Sequence, residues 1–201
     1  MKSTRFISKA FSLALTSVLF AFAVTGCYHE STLTEDYLNG TWSALYESYT
    51  IDVENSTFDA GSYSYAGDQM EIDFTGNDSG YIYINYTRAY ESTSTEPEDA
   101  SSWTSYSYWM DSSYNCVYTD PSDDSYTKYT VWYRYSSTAS DCGKWYAICF
   151  KDLTETSVSL SGAYGSVTDH YLTSTDTLAQ AKKEFTVENG YFSTFSSLTK
   201  E

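Results

Sequence analysis

Between residues 69 and 87 the chain reads QMEIDFT, then a short glycine- and asparagine-containing break, then YIYINYT. The first run sets Met70, Ile72 and Phe74 on one side and Glu71 and Asp73 on the other. The second sets Ile82, Ile84 and Tyr86 against Tyr81, Tyr83 and Asn85. A period of two belongs to a strand with one face buried, and two such runs across NDSG read as an antiparallel hairpin. The same rhythm recurs at 41–46, 49–53, 103–110, 114–119, 126–135, 144–151 and 157–162. Short strands at such even spacing predict an all-β domain built as an antiparallel meander, either a sandwich or a barrel. The 22 tyrosines and 5 tryptophans suit pleated surfaces, and with 2 prolines in the whole chain the strands run uninterrupted.

One helix is expected near 176–184, where TDTLAQAKKEF puts Leu178, Ala181 and Phe185 on one stripe and Thr177 with Gln180 in a capping box. Its apolar stripe predicts packing on the outside of the sheet or across a barrel end. Two loops stand out, the acidic ESTSTEPEDASS at 91–102 and SSTASDCG at 136–143.

The amino terminus carries an address. Lys2, Arg5 and Lys9 precede an uncharged apolar run from about Phe11 to Thr25, the layout of a secretory signal over residues 1–26. The run falls short of the roughly 20 residues a membrane span needs. It ends in VTGC, which resembles a bacterial lipobox. That resemblance implies a diacylated Cys27 as the first residue of the mature chain, a tether over 27–37 and a folded domain over 38–201. Two or more acyl chains anchor stably where one is marginal. The expected location is the cell envelope, with Tyr28 after the cysteine favouring the outer membrane over the inner. The partner on that side is the membrane, held through the lipid.

Removing Lys2, Arg5 and Lys9 from the 11 basic residues leaves 8 against 27 acidic ones, a net charge of −19 for residues 27–201. A polyphosphate needs a basic footprint, so nucleic acid is excluded as a partner. The acidic run DPSDDS at 120–125 lacks the glycine and distal glutamate of an EF-hand and reads as a turn. The Asn-x-Ser/Thr matches at Asn39, Asn55, Asn77 and Asn85 are what chance gives in a Ser- and Thr-rich chain. His29 and His170 are the two histidines, neither at metal-ligand spacing, and neither a G-x-S-x-G elbow nor a phosphate-binding glycine loop occurs. The sequence therefore predicts no enzyme, cofactor or metal. An integral outer-membrane barrel is disfavoured by Glu71, Asp73, Lys128 and Arg134 at strand centres.

Three cysteines follow Cys27. If 114–119, 126–135 and 144–151 are successive antiparallel strands, Cys116 and Cys149 flank the middle one, roughly 9–10 Å apart. A disulfide needs Cα atoms within about 7 Å. Cys142, in the loop at the end of that sheet, is then the partner expected for Cys116, with Cys149 a free thiol; three reduced cysteines are the alternative.

Gly40-Thr41-Trp42, opening the first strand, resembles the G-x-W motif of the lipocalins. That family's members are eight-stranded up-and-down barrels with a ligand cavity and a helix after the barrel, so the resemblance implies an antiparallel up-and-down meander barrel of about eight strands with one carboxyl-terminal helix, and Gly40 and Trp42 at the barrel base. In lipocalins this tryptophan packs against an arginine near the carboxyl end, whereas no arginine follows Arg134 here. The tail AKKEFTVENGYF is also similar to lipocalin-like spirochaete lipoproteins. Two functions follow. In the first, a small hydrophobic or amphipathic ligand sits in the barrel against inward Tyr106, Tyr108, Tyr129, Tyr133, Tyr146 and Phe150. In the second, the core is filled and a surface including Tyr81, Tyr83, Trp103, Trp109, Trp132 and Trp145 meets a host or envelope protein.

Overall fold

The computed structural model of the protein describes residues 33–164 and 173–201. Cys27, His29 and His170, with the expected signal and most of the tether, lie outside them. A 3₁₀ turn at Glu35–Tyr37 leads into β1 (Gly40–Ser43), β2 (Ser48–Asp52), β3 (Thr57–Asp59), β4 (Ala66–Phe74) and β5 (Gly80–Thr93). After a second 3₁₀ turn at Ala100–Ser102 come β6 (Thr104–Met110), β7 (Cys116–Val117), β8 (Thr127–Ser136), β9 (Trp145–Lys151) and β10 (Ser157–Gly162). Helix α1 (Leu178–Glu184) and β11 (Ser196–Lys200) complete the order.

Eight strands close into an antiparallel barrel in the order β1-β2-β3-β4-β5-β9-β10-β11, and β11 returns to β1 with Trp42 opposite Lys200. The expected up-and-down barrel with one carboxyl-terminal helix is therefore present. It carries an insertion. β5 runs for 14 residues, and only its first part belongs to the barrel; residues 89–93 pair instead with β8, which pairs with β6 and then β7. This outer sheet corrects the expectation that β7, β8 and β9 are neighbours: β6 lies between β7 and β8, and β9 pairs with β5 and β10.

The barrel core follows the alternation. Ile82, Ile84, Tyr86, Tyr146, Ile148 and Phe150 point inward together because the register sets Ile82 opposite Ile148 and Ile84 opposite Tyr146. Each fully buried isoleucine of this set contributes on the order of 2–3 kcal/mol by leaving water. Gly80 faces Phe150 where β5 enters the barrel, and a Cβ there would collide with the Asp73 carbonyl and the Phe150 ring, so the strands can only cross this closely at glycine.

At seven residues α1 is too short to hold itself together in water. Its start is fixed by the capping box, with the Gln180 amide donating to Thr177 Oγ1 at 3.2 Å and the Thr177 amide donating to Gln180 Oε1 at 3.0 Å. Its docking rests on Ala181 and Phe185, both fully buried, and is oriented by Lys182, which reaches Glu71 (3.0 Å) and Asp73 (2.9 Å) on the outer face of β4 and stands 5.5 Å over the Tyr83 ring. The helix thus lies against the outside of the barrel, and Tyr83 is 2% exposed beneath it.

Candidate functional site

At the end of the barrel where the chain enters, Trp42 is fully buried and its indole Nε1 donates to the Leu38 carbonyl at 2.7 Å. Lys200 on the last strand lays its ammonium 5.1 Å above the Trp42 ring and donates to the Tyr37 carbonyl at 3.2 Å. Gly40 is required by its backbone. Its φ of +129° lies in the region side chains avoid, and a Cβ would also displace the Lys200 stem, 2.9 Å away at Cε. A lysine thus supplies the cation against the basal tryptophan.

The opposite end is filled by rings. Tyr65, from the loop between β3 and β4, stacks on Phe58 at 5.8 Å and meets Tyr86 at 6.0 Å and Tyr146 at 5.2 Å. Tyr86 and Tyr146 stack at 5.0 Å, and the Tyr146 hydroxyl donates to the Ala163 carbonyl at 3.2 Å. Burial pushes the phenols of Tyr65, Tyr86 and Tyr146 well above their ordinary range, with a smaller push from their phenolic neighbours. The loop carrying Tyr65 is clamped by Arg88, whose guanidinium donates to the Ser64 carbonyl (2.7 Å), the Gly61 carbonyl (2.8 Å) and Asp59 Oδ1 (2.7 Å).

The outer sheet has two chemically distinct faces. The register sets Tyr108 opposite Tyr129 and Thr104 opposite Tyr133, so alternate residues of β6 and β8 make a tyrosine face. Along it Tyr118, Tyr108, Tyr106, Tyr133 and Tyr90 follow one another at ring separations of 6.4, 6.4, 6.0 and 6.0 Å, with Tyr129 stacked on Tyr108 at 5.4 Å. Tyr90, Tyr106 and Tyr129 are 44–46% exposed and Tyr118 is 71% exposed. The reverse face carries Trp103, Trp109 and Trp132 with the charges: Lys128 stands 5.5 Å over Trp109 and Arg134 4.3 Å over Trp103. Arg134 also binds Glu91 at 2.6 Å and Asp99 at 3.0 Å, pinning the acidic loop to β8.

These positions correct the sequence reading in both the pairing of the strands and the side to which their aromatics turn. Of the six expected barrel-lining residues, Tyr146 and Phe150 line the interior, whereas Tyr106, Tyr108, Tyr129 and Tyr133 lie on the outer sheet, because β6 and β8 are not barrel strands. Conversely Tyr81 and Tyr83, expected on an open surface, are covered: Tyr81 accepts the Val187 amide at 3.1 Å and lies 5.6 Å from the Phe192 ring. Trp145 bridges to Thr175.

The expected Cys116–Cys142 bridge is absent; Cys116, Cys142 and Cys149 are all free. Cys116 pairs with Met110, which lies opposite Thr127, while the Cys142 thiol donates to the Ser136 carbonyl at 3.3 Å. Thr127 and Ser136 are the two ends of β8, so the thiols are separated by about 30 Å of strand, far outside disulfide reach. Burial pushes the Cys149 thiol up to about 11, against a weaker opposing pull from Lys151.

Among the described residues no three His, Cys, Asp or Glu side chains converge as a metal site, and no helix is long and apolar enough to cross a membrane. No family model, curated protein or solved structure matches the chain.

Proposed function

We propose that this is a lipid-anchored protein of the bacterial envelope, held through Cys27, in which the barrel is a packed stand and the outer sheet is the working surface. The observation that carries this is the contrast between the two tyrosine sets. Those inside the barrel are spent on one another, as the Tyr65, Tyr86 and Tyr146 contacts of 5.0–6.0 Å illustrate. Those on the outer sheet form a continuous, half-exposed row. An exposed aromatic patch of that extent on a soluble domain is a hallmark of an interaction site. The lipobox and the Gly40-Thr41-Trp42 start, now with Lys200 over the indole, support the lipoprotein and lipocalin-like reading.

The test is co-sedimentation of residues 28–201, free of lipid, with isolated envelopes. Retention by the wild-type fragment, lost in Tyr106→Ala and Tyr108→Ala, supports the outer sheet as the working surface; equal retention by all three rules it out. Anchoring is checked by palmitate labelling, expected in the wild-type chain and abolished in Cys27→Ser.

A second reading, a small hydrophobic or amphipathic ligand within the barrel, is favoured by barrel closure and by the phenol hydroxyls at one end of the interior. Native mass spectrometry of envelope-derived protein separates the two. A reproducible added mass lost on denaturation places a ligand inside, and a bare chain mass leaves the outer sheet as the functional element.

A further inference from the structure

We propose that the tyrosine face of the outer sheet binds a neutral polysaccharide, one end of which enters the cleft beside Trp103. This rests on the reading of the outer sheet as the working surface and names its partner.

From Thr104 to Met110 on β6 and from Thr127 to Tyr135 on β8, every second residue, the set that makes the tyrosine face, is uncharged, while Glu91, Lys128 and Arg134 share the opposite face. The chain as a whole carries −16. A polyanion is repelled by that field, and a polycation finds no carboxylate on this face to pair with. A neutral partner is left.

A pyranose ring has a flat C–H side that packs on an aromatic face and a fringe of hydroxyls that need donors and acceptors. A phenol offers both at once, an apolar plate with a hydroxyl at its tip. Rings stepping by 6.0–6.4 Å along β6 and β8 offer such plates at the scale of successive sugar units rather than as a single pocket.

Where the row reaches Tyr133, a cleft of about 500 Å³ opens between the sheet and the loop that holds Ser62 and Tyr63. Ser101, Trp103, Thr104, Arg134 and Tyr135 line it as well, a mixture of aromatic and hydroxyl-bearing residues, while the Ser102 hydroxyl at its edge is held by Asp99 and Arg134. Tyr63 is 93% exposed at its rim. Because Arg134 is already held by Glu91 and Asp99, the cleft does not present a free cation to an anionic sugar.

The experiment is native gel electrophoresis of the full chain in detergent, in gels cast with amylopectin, mixed-linkage β-glucan, galactomannan or dextran, and with alginate as the anionic control. Retardation by at least one neutral polymer is expected, with none by alginate. Tyr106→Ala and Tyr108→Ala should each weaken it at least tenfold, while Lys128→Gln, on the reverse face, should leave it unchanged. Tyr106 and Tyr108 lie outside the barrel core, and melting temperatures of the variants within about 2 °C of wild type confirm that folding is intact. No retardation by any neutral polymer, or retardation indifferent to both tyrosines, overturns the proposal. If glycans fail yet the same tyrosines are needed for envelope co-sedimentation, the partner is a protein, such as a proline-rich segment stacking on the phenols; the glycan inference then falls while the working surface stands.

Discussion

Arg88→Met is the most informative single perturbation of the fold. The guanidinium holds two backbone carbonyls, Gly61 and Ser64, and one carboxylate, Asp59, all within 2.8 Å. Methionine keeps most of the stem and removes all three donors. Each carbonyl loses a charge-assisted bond worth about 1–1.5 kcal/mol in a partly exposed setting. The Asp59 share is discounted to about 0.5 kcal/mol because that side chain is 50% exposed and water screens the pair. The sum is about 2.5–3.5 kcal/mol. For a domain of this size that lowers the melting temperature by roughly 5–14 °C. Arg88→Lys, which keeps the charge but lacks a planar fork able to span three acceptors, should fall between. Thermal unfolding followed by circular dichroism reads all three proteins. A shift below about 2 °C for Arg88→Met would refute the clamp and show that Tyr65 is seated by its ring contacts alone.

Deleting residues 196–201 removes β11, exposes the edges of β1 and β10 and strips Lys200 from Trp42; gel filtration should find the truncated chain aggregated or unfolded. Thiol labelling at neutral pH should modify exposed Cys116 promptly and leave buried Cys149, whose thiol is pushed up to about 11, until denaturant is added; rapid native labelling of Cys149 would contradict its burial. Tyr65, Tyr86 and Tyr146 have folded pKa values raised by burial above the unfolded value of about 10, so their contribution is intact below that pH and is lost as pH rises past it. In an alkaline titration at 295 nm the last phenols should ionise together with loss of the far-UV signal, and Tyr146→Phe should remove one phenol from that step.

Much of the barrel was legible. The alternation around Ile72, Ile82 and Ile148 reports both the strands and their buried side, since Glu71 and Asp73 occupy the other face of the same hairpin. The capping box at Thr177 and Gln180 is local chemistry and reads directly. β3 escaped because three residues are too few to show a period, and β11 because Ser196–Lys200 carries Leu198 as its only large apolar residue and is a strand only by virtue of its neighbours β1 and β10. The inward or outward sense of β6 and β8 was illegible for a different reason. One face carries Tyr106, Tyr108, Tyr129 and Tyr133 and the other Lys128 and Arg134, the split expected of a barrel strand with its apolar face inward, and a period of two fixes faces only relative to each other. Which sheet such strands join is decided by topology, and the topology turns on β5 outgrowing the barrel. That extra length shows in the sequence only as a strand pattern running past Thr87 without a break.

The pairing of β1 with β11 sets the order in which the molecule can acquire its structure. Trp42 finds Lys200 some 158 positions later, one of the most non-local contacts the chain makes. Contacts of that separation are slow to form because the loop entropy is spent before the contact repays it. A polypeptide emerging amino end first therefore cannot seal its cylinder until residues 196–200 exist, and β1 to β10 wait unclosed until then. Those five residues act as the latch, and the moment at which the cylinder shuts is set by connectivity alone.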